Sequence, residues 1–251
     1  MSGHSKWATI KRKKGAADAK RGKMFTQIIR ELVMASRLGG PDPDANAKLR
    51  LAMDKARSSN MPKDTMERAV RRGSGADQSE SYEEVRYEGY GPSGVAIIVD
   101  TLTDNRNRTV GEVRHMFSKH GGNLGTTGCV SHLFSKKGIL VFERAGIDAD
   151  KLMETAIEAD AADVVEEAES IEVQTTPESF EAVKAALVAK GFEPQSAEVS
   201  LVPSLTVPLT GNAAQSMLKL LEGLDDHDDV KQVSANFDIS EDEMAAAAKA
   251  S

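Results

Sequence analysis

Four potential metal ligands fall within 18 residues: His115, His120, Cys129 and His132. A zinc site needs such side chains to converge on one point. His115 and His120 are five apart on a predicted helix, about 140° around its axis, whereas two ligands on one helical face are four apart. Cys129 and His132 sit three apart on a predicted strand and so point to opposite faces. The expected reading is four ordinary surface or half-buried side chains. The run GGNLGTTG spaces Gly122, Gly125 and Gly128 regularly, which could cradle a phosphate. Such cradles follow a strand and open a helix, and this run does the reverse and lacks a Gly-Lys-Ser/Thr ending. Turn and capping duty is expected. In TDNRNRTVGEVRHMF, Thr103, Asp104 and Asn105 can cap a helix whose first turn carries Arg106 and Arg108. Free backbone N–H groups and two guanidinium groups could converge there on a phosphate. The alternative is that Asp104 satisfies the helix end and the arginines are solvated.

No Ser/His/Asp or Cys/His arrangement has an order suited to nucleophilic catalysis, and the carboxylates between residues 137 and 203 fall on polar faces of predicted helices. Nothing positions a reacting atom. The expectation is a protein that is not an enzyme, with no metal, no cofactor and no small-molecule substrate.

Charge is the stronger signal. MSGHSKWATIKRKKGAADAKRGK carries eight Lys or Arg against one acid, Asp18, with the chain's only tryptophan, Trp7, among them. Residues 1–72 have a net charge of +11 and the remainder −18, within a chain of 251 residues and net −7. A basic head invites a polyanion, and an acidic body keeps the remaining surface off it. The cations lead into an amphipathic helix and not into the apolar run of a signal peptide. One cysteine allows no intramolecular disulfide framework and fits a reducing compartment. No run approaches the roughly 18 apolar residues of a membrane span. A cytoplasmic protein without membrane partners is expected.

The elements that must position these residues follow from periodicity. KMFTQIIRELVMASRLGG places Phe25, Ile28, Ile29, Leu32 and Val33 at helical spacing and ends at Gly39 and Gly40. Lys23, Arg30 and Arg37, seven apart, should form one exposed row. A second helix starts with Asp44 as its cap, and a third starts at Pro62 and is capped by Gly73. Beyond the polar linker GSGADQSES the period shifts toward two, with strands on either side of the turn Gly91–Gly94, a helix over about 105–120, and CVSHLF as a strand. From Gly138 the order resembles a split βαβ, βαββαβ-like module. The segments after it, LTVPL, a helix and VKQVSANFDI, are incomplete alone. The expected fold class is α+β multidomain: an N-terminal three-helix bundle and two α+β (ferredoxin-like, split βαβ) domains, one inserted in the other. The expected domains are 1–74, a discontinuous 82–136 with 204–240, an inserted acidic 137–203, and a tail at 241–251.

The runs GHSKWATIKRKKGAADAKRGKMF, LGGPDPDANAKLRLAMDKARSSNMPKD and YEGYGPSGVAIIVDTLTDNRNRTVGEVRHMFSKHGGNLGTTGCVSHLF closely resemble the YebC/PmpR family. A mitochondrial relative of that family is the translational activator of cytochrome c oxidase subunit I. The resemblance implies a helical N-terminal domain followed by two α+β domains, one inserted in the other, and no enzymatic activity. It also implies one of two roles: DNA-binding transcriptional regulation, or ribosome association that helps translation through sequences such as proline runs. In this reading Lys6, Lys11, Arg12, Lys13, Lys14, Lys20, Arg21 and Lys23 bind phosphates, joined by Arg30, Arg37, Arg106 and Arg108. Trp7 either stacks on an exposed base or docks the arm. Stacking and a flexible lysine-rich arm favour RNA or a ribosome over a chosen duplex sequence, with DNA as the alternative.

Overall fold

The apolar stripe of the first helix finds two partners. The computed structural model describes residues 17–76, 82–167, 169–240 and 243. In it, helix α1 (Ala17–Gly39) buries Ile28, Leu32, Val33 and Ala35 against α2 (Ala47–Ser58) and α3 (Lys63–Arg71). The partners contribute Leu49, Ala52 and Ala56 from α2, and Met66 and Ala69 from α3. Each large aliphatic side chain so buried is worth about 1.5–3 kcal/mol.

Two caps differ from expectation. Asn46, not Asp44, caps α2: its side-chain oxygen accepts from the Leu49 amide at 3.1 Å, and its Nδ2 donates to the carbonyls of Ala35 (2.7 Å) and Gly40 (2.8 Å). Asp44 lies in the preceding turn, with its amide donating to the Asp42 carboxylate. Both residue types cap well, and only the amide of Asn46 can also donate to the end of α1. Gly73 is not a cap either, since α3 runs on through Arg72 into a wide turn, Arg72–Ala76. A Cβ on Gly73 would lie 2.3 Å from the Val33 carbonyl oxygen, so glycine is required by the close approach to α1.

Strands β1 (Glu83–Tyr90) and β2 (Ala96–Thr103) form an antiparallel hairpin in continuous register from Glu83↔Thr103 to Tyr90↔Ala96. With β3 (Asn123–Leu124) and β9 (Val230–Ala235) they make a sheet of order β3-β1-β2-β9. β2 is buried along all its residues but Asp100, which explains why VAIIV is a continuous apolar run and not an alternating one. Helix α4 (Arg106–Lys119) packs on β1 and β3, burying Val113 and Phe117, and α7 (Gly211–Asp226) packs on α4, burying Met217, Leu220, Leu221 and Leu224.

CVSHLF is not a strand. Residues Ser131–Leu133 form a 3-10 turn, and the strand begins only at Phe134. Val130 leaves the extended region (φ −129, ψ −10), and the segment before it is tied to β1 by the Gly125 amide, which donates to the Glu88 carbonyl at 2.8 Å, and by side chains. Tyr90 donates to the Cys129 carbonyl at 3.1 Å, and the Gly128 amide donates to the Glu88 carboxylate at 2.9 Å.

The following strands and helices are β4 (Phe134–Glu143), α5 (Ala149–Glu158), β5 (Asp163–Glu166), β6 (Ser170–Thr175), α6 (Phe180–Ala189) and β7 (Ser196–Pro203). They form an antiparallel sheet of order β5-β6-β4-β7, the ferredoxin-like arrangement. Leu140, Phe142, Ile171 and Val173 face Leu152, Ala156, Val183 and Leu187 of the two helices in its core. A short parallel pair, β8 (Val207–Pro208) with β10 (Phe237–Asp238), follows. The described residues fall into two compact units: 17–76, 82–129 and 211–233 in one, and 130–167, 169–210, 234–240 and 243 in the other.

We propose that the chain folds as a head (1–74), a discontinuous domain (82–136 with 204–240) and an inserted domain (137–203). A fragment spanning 82–136 lacks β9 beside β2 and the apolar face of α7. It is expected to show no cooperative urea or thermal transition by circular dichroism, and to regain one when linked to 204–240. Cooperative unfolding of the isolated fragment would remove the discontinuous assignment.

Candidate nucleic-acid interface

The ends of β2, α4 and α7 and one face of α1 meet at Asp229, whose side chain is 1% exposed. Its Oδ2 accepts from Arg108 Nη2 (2.7 Å), Thr109 Oγ1 (2.7 Å) and Thr103 Oγ1 (3.1 Å), and its Oδ1 accepts from Arg30 Nη1 (2.8 Å). Its carbonyl accepts from the Leu102 amide, which joins this residue to β2 through the main chain. Burial alone would push the carboxyl up, but the hydrogen bonds from Arg108, Thr109 and Thr103 outweigh it and hold the pKa at about 2. His227 completes the turn. The Asp229 amide donates to its Nδ1 at 3.0 Å, so Nε2 carries the ring hydrogen and donates to Glu112 at 2.6 Å.

Lys23, Gln27 and Arg30, at i, i+4 and i+7, lie on one face of α1. Lys23 donates to the carbonyl of Asp225, Gln27 to that of Val230, and Arg30 to that of Asp228 at 2.8 Å. The Arg30 guanidinium also stands 5.4 Å from the centre of the Tyr82 ring. The expected exposed row is therefore divided: Lys23 and Arg30 dock α1 onto the segment 225–230, and Arg37 is exposed. The Arg30 side chain is only 15% exposed. The cleft at this joint, lined by Gln27, Arg30, Glu31, Leu102, Asp228, Asp229 and Lys231, has room for water and not for an organic ligand.

The helix start at TDNRNRT resolves into unlike parts. Asn105 is the cap, accepting from the Arg108 amide at 3.1 Å, and Asp104 instead pairs with the Arg108 guanidinium at 2.9 Å. Arg108, held between Asp104 and Asp229, has its pKa raised chiefly by the Asp229 hydrogen bond. Arg108 pairs with the buried carboxylate while its side chain stays 42% exposed, and Arg106 is exposed. Lys6, Trp7, Lys11, Arg12, Lys13 and Lys14 lie outside the described residues, as do the side chains of Lys20 and Arg21.

The four zinc candidates are dispersed in character: His115 and His132 are exposed, His120 ends α4, and Cys129 is half-buried. Burial, with Lys119 and Lys219 nearby, lowers the His120 pKa, and burial beside Glu88 raises that of Cys129. Among the described residues, no group of three or more His, Cys, Asp or Glu could hold a metal ion, and no helix is long and apolar enough to cross a membrane.

The sequence reading missed Asp229, Thr109, Gln27 and Tyr82, and took Thr103 as a helix cap and not as a donor to a buried carboxylate. The run Asp225-Asp226-His227-Asp228-Asp229 signals a cluster of acids but does not say which carboxylate is buried.

A helical N-terminal region with a polar, charge-rich docking face, joined to an antiparallel sheet and a ferredoxin-like module, defines a multidomain α+β protein whose chemistry is charge and hydrogen bonding. The chain belongs to the TACO1/YebC family: the family's N-terminal domain matches residues 5–76, and its second and third domains match 82–237. It is 57% identical over 244 residues to a "Probable transcriptional regulatory protein" of Geobacter sp. (strain M21), covering 97% of this chain and 98% of that one. It is 58% identical, with the same coverage, to a protein of the same description from Trichlorobacter lovleyi. A crystal structure of a conserved hypothetical protein from Aquifex aeolicus superimposes with a TM-score of 0.80 at 47% identity, covering 89% of this chain and 93% of that one.

Asp229→Asn is expected to lower unfolding free energy by about 2 kcal/mol at pH 7. The folded-state pKa lies below the unfolded one, so this contribution is complete above about pH 4 and vanishes as the pH falls toward 2. Urea titrations of both proteins across that range should therefore converge at the acid end. Arg108→Ala should share the neutral-pH loss in part, whereas Arg106→Ala should leave the melting temperature within about a degree.

Proposed function

We propose that this chain is a non-enzymatic, nucleic-acid-binding regulator of gene expression that acts on RNA, in particular the ribosome, and eases elongation at difficult sequences such as proline runs. The observation that carries this reading is the concentration of charge: eight cations and Trp7 in the first 23 residues, on a chain whose net charge is otherwise negative. Lysine ammonium groups on a short segment neutralise phosphates without reading bases, and an indole among them has a stacking partner in any unpaired base. Arg37 and Arg106, both exposed, extend the cationic surface of the unit that carries α1, while Arg108 serves the Asp229 joint. A second reading, duplex DNA binding in transcriptional control, is favoured by the descriptions given to the Geobacter and Trichlorobacter relatives.

Sedimentation with ribosomes, before and after nuclease treatment, separates the two: co-sedimentation that nuclease abolishes supports RNA, and binding only to duplex DNA supports the alternative. In salt titrations, replacing Lys11, Arg12, Lys13 and Lys14 with Gln should flatten the dependence of log affinity on log salt by roughly three units if most of the four reach phosphates. Trp7→Ala should cost about 1–3 kcal/mol on single-stranded RNA and leave that slope unchanged if the indole stacks. Unchanged strength and slope in the four-Gln variant would move the function away from the arm.

A further inference from the structure

In the hydrogen bonds described between Lys23, Gln27 and Arg30 and the segment 225–230, the head donates and the segment accepts, through three main-chain carbonyls and the Asp229 Oδ1. The segment also carries four carboxylates in five residues, with Asp226 and Asp228 exposed. A surface that is anionic and presents hydrogen-bond acceptors to its partner shares the chemistry of a sugar-phosphate backbone. The joint is held by hydrogen bonds and an ion pair, with Leu102 and the Tyr82 ring beside Arg30, and polar contacts of this kind separate and re-form more readily than apolar ones.

Asp229 is also divided between two masters. Oδ2 is satisfied by Arg108, Thr109 and Thr103, all within the α4 and β2 body, and Oδ1 reaches the head through Arg30 alone. If Arg30 leaves, Oδ2 keeps its three donors and Oδ1 turns to water. The body half of the joint stands without the head half.

We propose that the segment 225–230 is a built-in competitor for the nucleic acid: it occupies Lys23 and Arg30 when the protein is free, and RNA phosphates displace it. This rests on the reading that head cations bind RNA. Displacement exposes two further cations along α1, so the chain binds through its arm first and through the released helix second. Weak polyanions that cannot displace the segment meet only part of the cationic surface, which gives the protein a threshold against non-specific binding.

The test uses the full chain and a fluorescein-labelled, unstructured single-stranded RNA of 20 nucleotides, followed by anisotropy at several salt concentrations. The double variant Asp226→Asn with Asp228→Asn changes two exposed carboxylates that accept none of the joint's described hydrogen bonds. Glu154→Gln with Glu158→Gln on α5 removes the same charge from the other unit. The joint variant is expected to bind RNA tighter than wild type by about fivefold or more, the lower end of ordinary coupling between sites, and the α5 variant by less than about twofold. The side-chain amide signal of Gln27 in nitrogen-15 spectra should shift on adding RNA toward the position of a solvated amide, because its Val230 acceptor is lost. RNA binding with the Gln27 signal unmoved, or equal gains in the two variants, would overturn the competitor while leaving RNA binding intact. Failure of wild type and joint variant alike to bind RNA would overturn both.

Discussion

A single buried carboxylate has to be satisfied for the rest of this unit to assemble. Asp229 is removed from water, and a charge so placed is costly unless donors replace its hydration. Four donors do so, and they come from three places: the end of β2, the first turn of α4, and α1. Satisfying one side chain therefore fixes where α4 begins relative to the sheet, where β9 enters, and which face of α1 turns toward the body. Thr103 and Thr109, bonded to each other at 2.7 Å, are small enough to let both the carboxylate and Arg108 reach the same point.

This arrangement also explains a division of labour among arginines that look alike in the sequence. Arg30 and Arg37 are seven residues apart, and Arg106 and Arg108 two apart. In each pair one guanidinium is committed to Asp229 and the other faces solvent. A cation bound to a buried anion positions structure in the free protein, while Arg106, exposed at the start of α4, is available to a ligand at little cost.

Much of the scaffold was legible because it depends on local pattern. The stripe of Ile28, Leu32 and Val33, the continuous apolar run of β2, and the alternation of strands and helices through the ferredoxin-like module all follow from periods of 3.6 and 2. The joint was not legible because its partners are distant: Arg30 and Asp229 are 199 residues apart, and periodicity carries no information at that separation. Local ambiguity accounts for other differences. Asp44 and Asn46 are equally good caps until the carbonyls of Ala35 and Gly40 demand a donor. Gly73 resembles a helix stop until the Val33 carbonyl shows why no Cβ can stand there. CVSHLF has strand composition, and main-chain and side-chain contacts to Glu88 and Tyr90 turn it aside.

The ferredoxin-like module leaves by the way it came. β4 and β7 are neighbours in the sheet, Phe134 stands opposite Pro203, and the Ser204 amide donates to the Leu133 carbonyl at 2.9 Å. The chain that departs at residue 133 is thus back within one hydrogen bond of its starting point at 204. For the polymer on either side, the intervening 70 residues act as a tight turn, because the module's own folding brings the ends together. The usual logarithmic penalty for closing a long loop is absorbed inside it. A sheet whose strands lie on both sides of that excursion, β1 to β3 before it and β9 after it, can then form as though its sequence were nearly continuous, and the contact order that governs its folding rate is far shorter than residue numbers suggest.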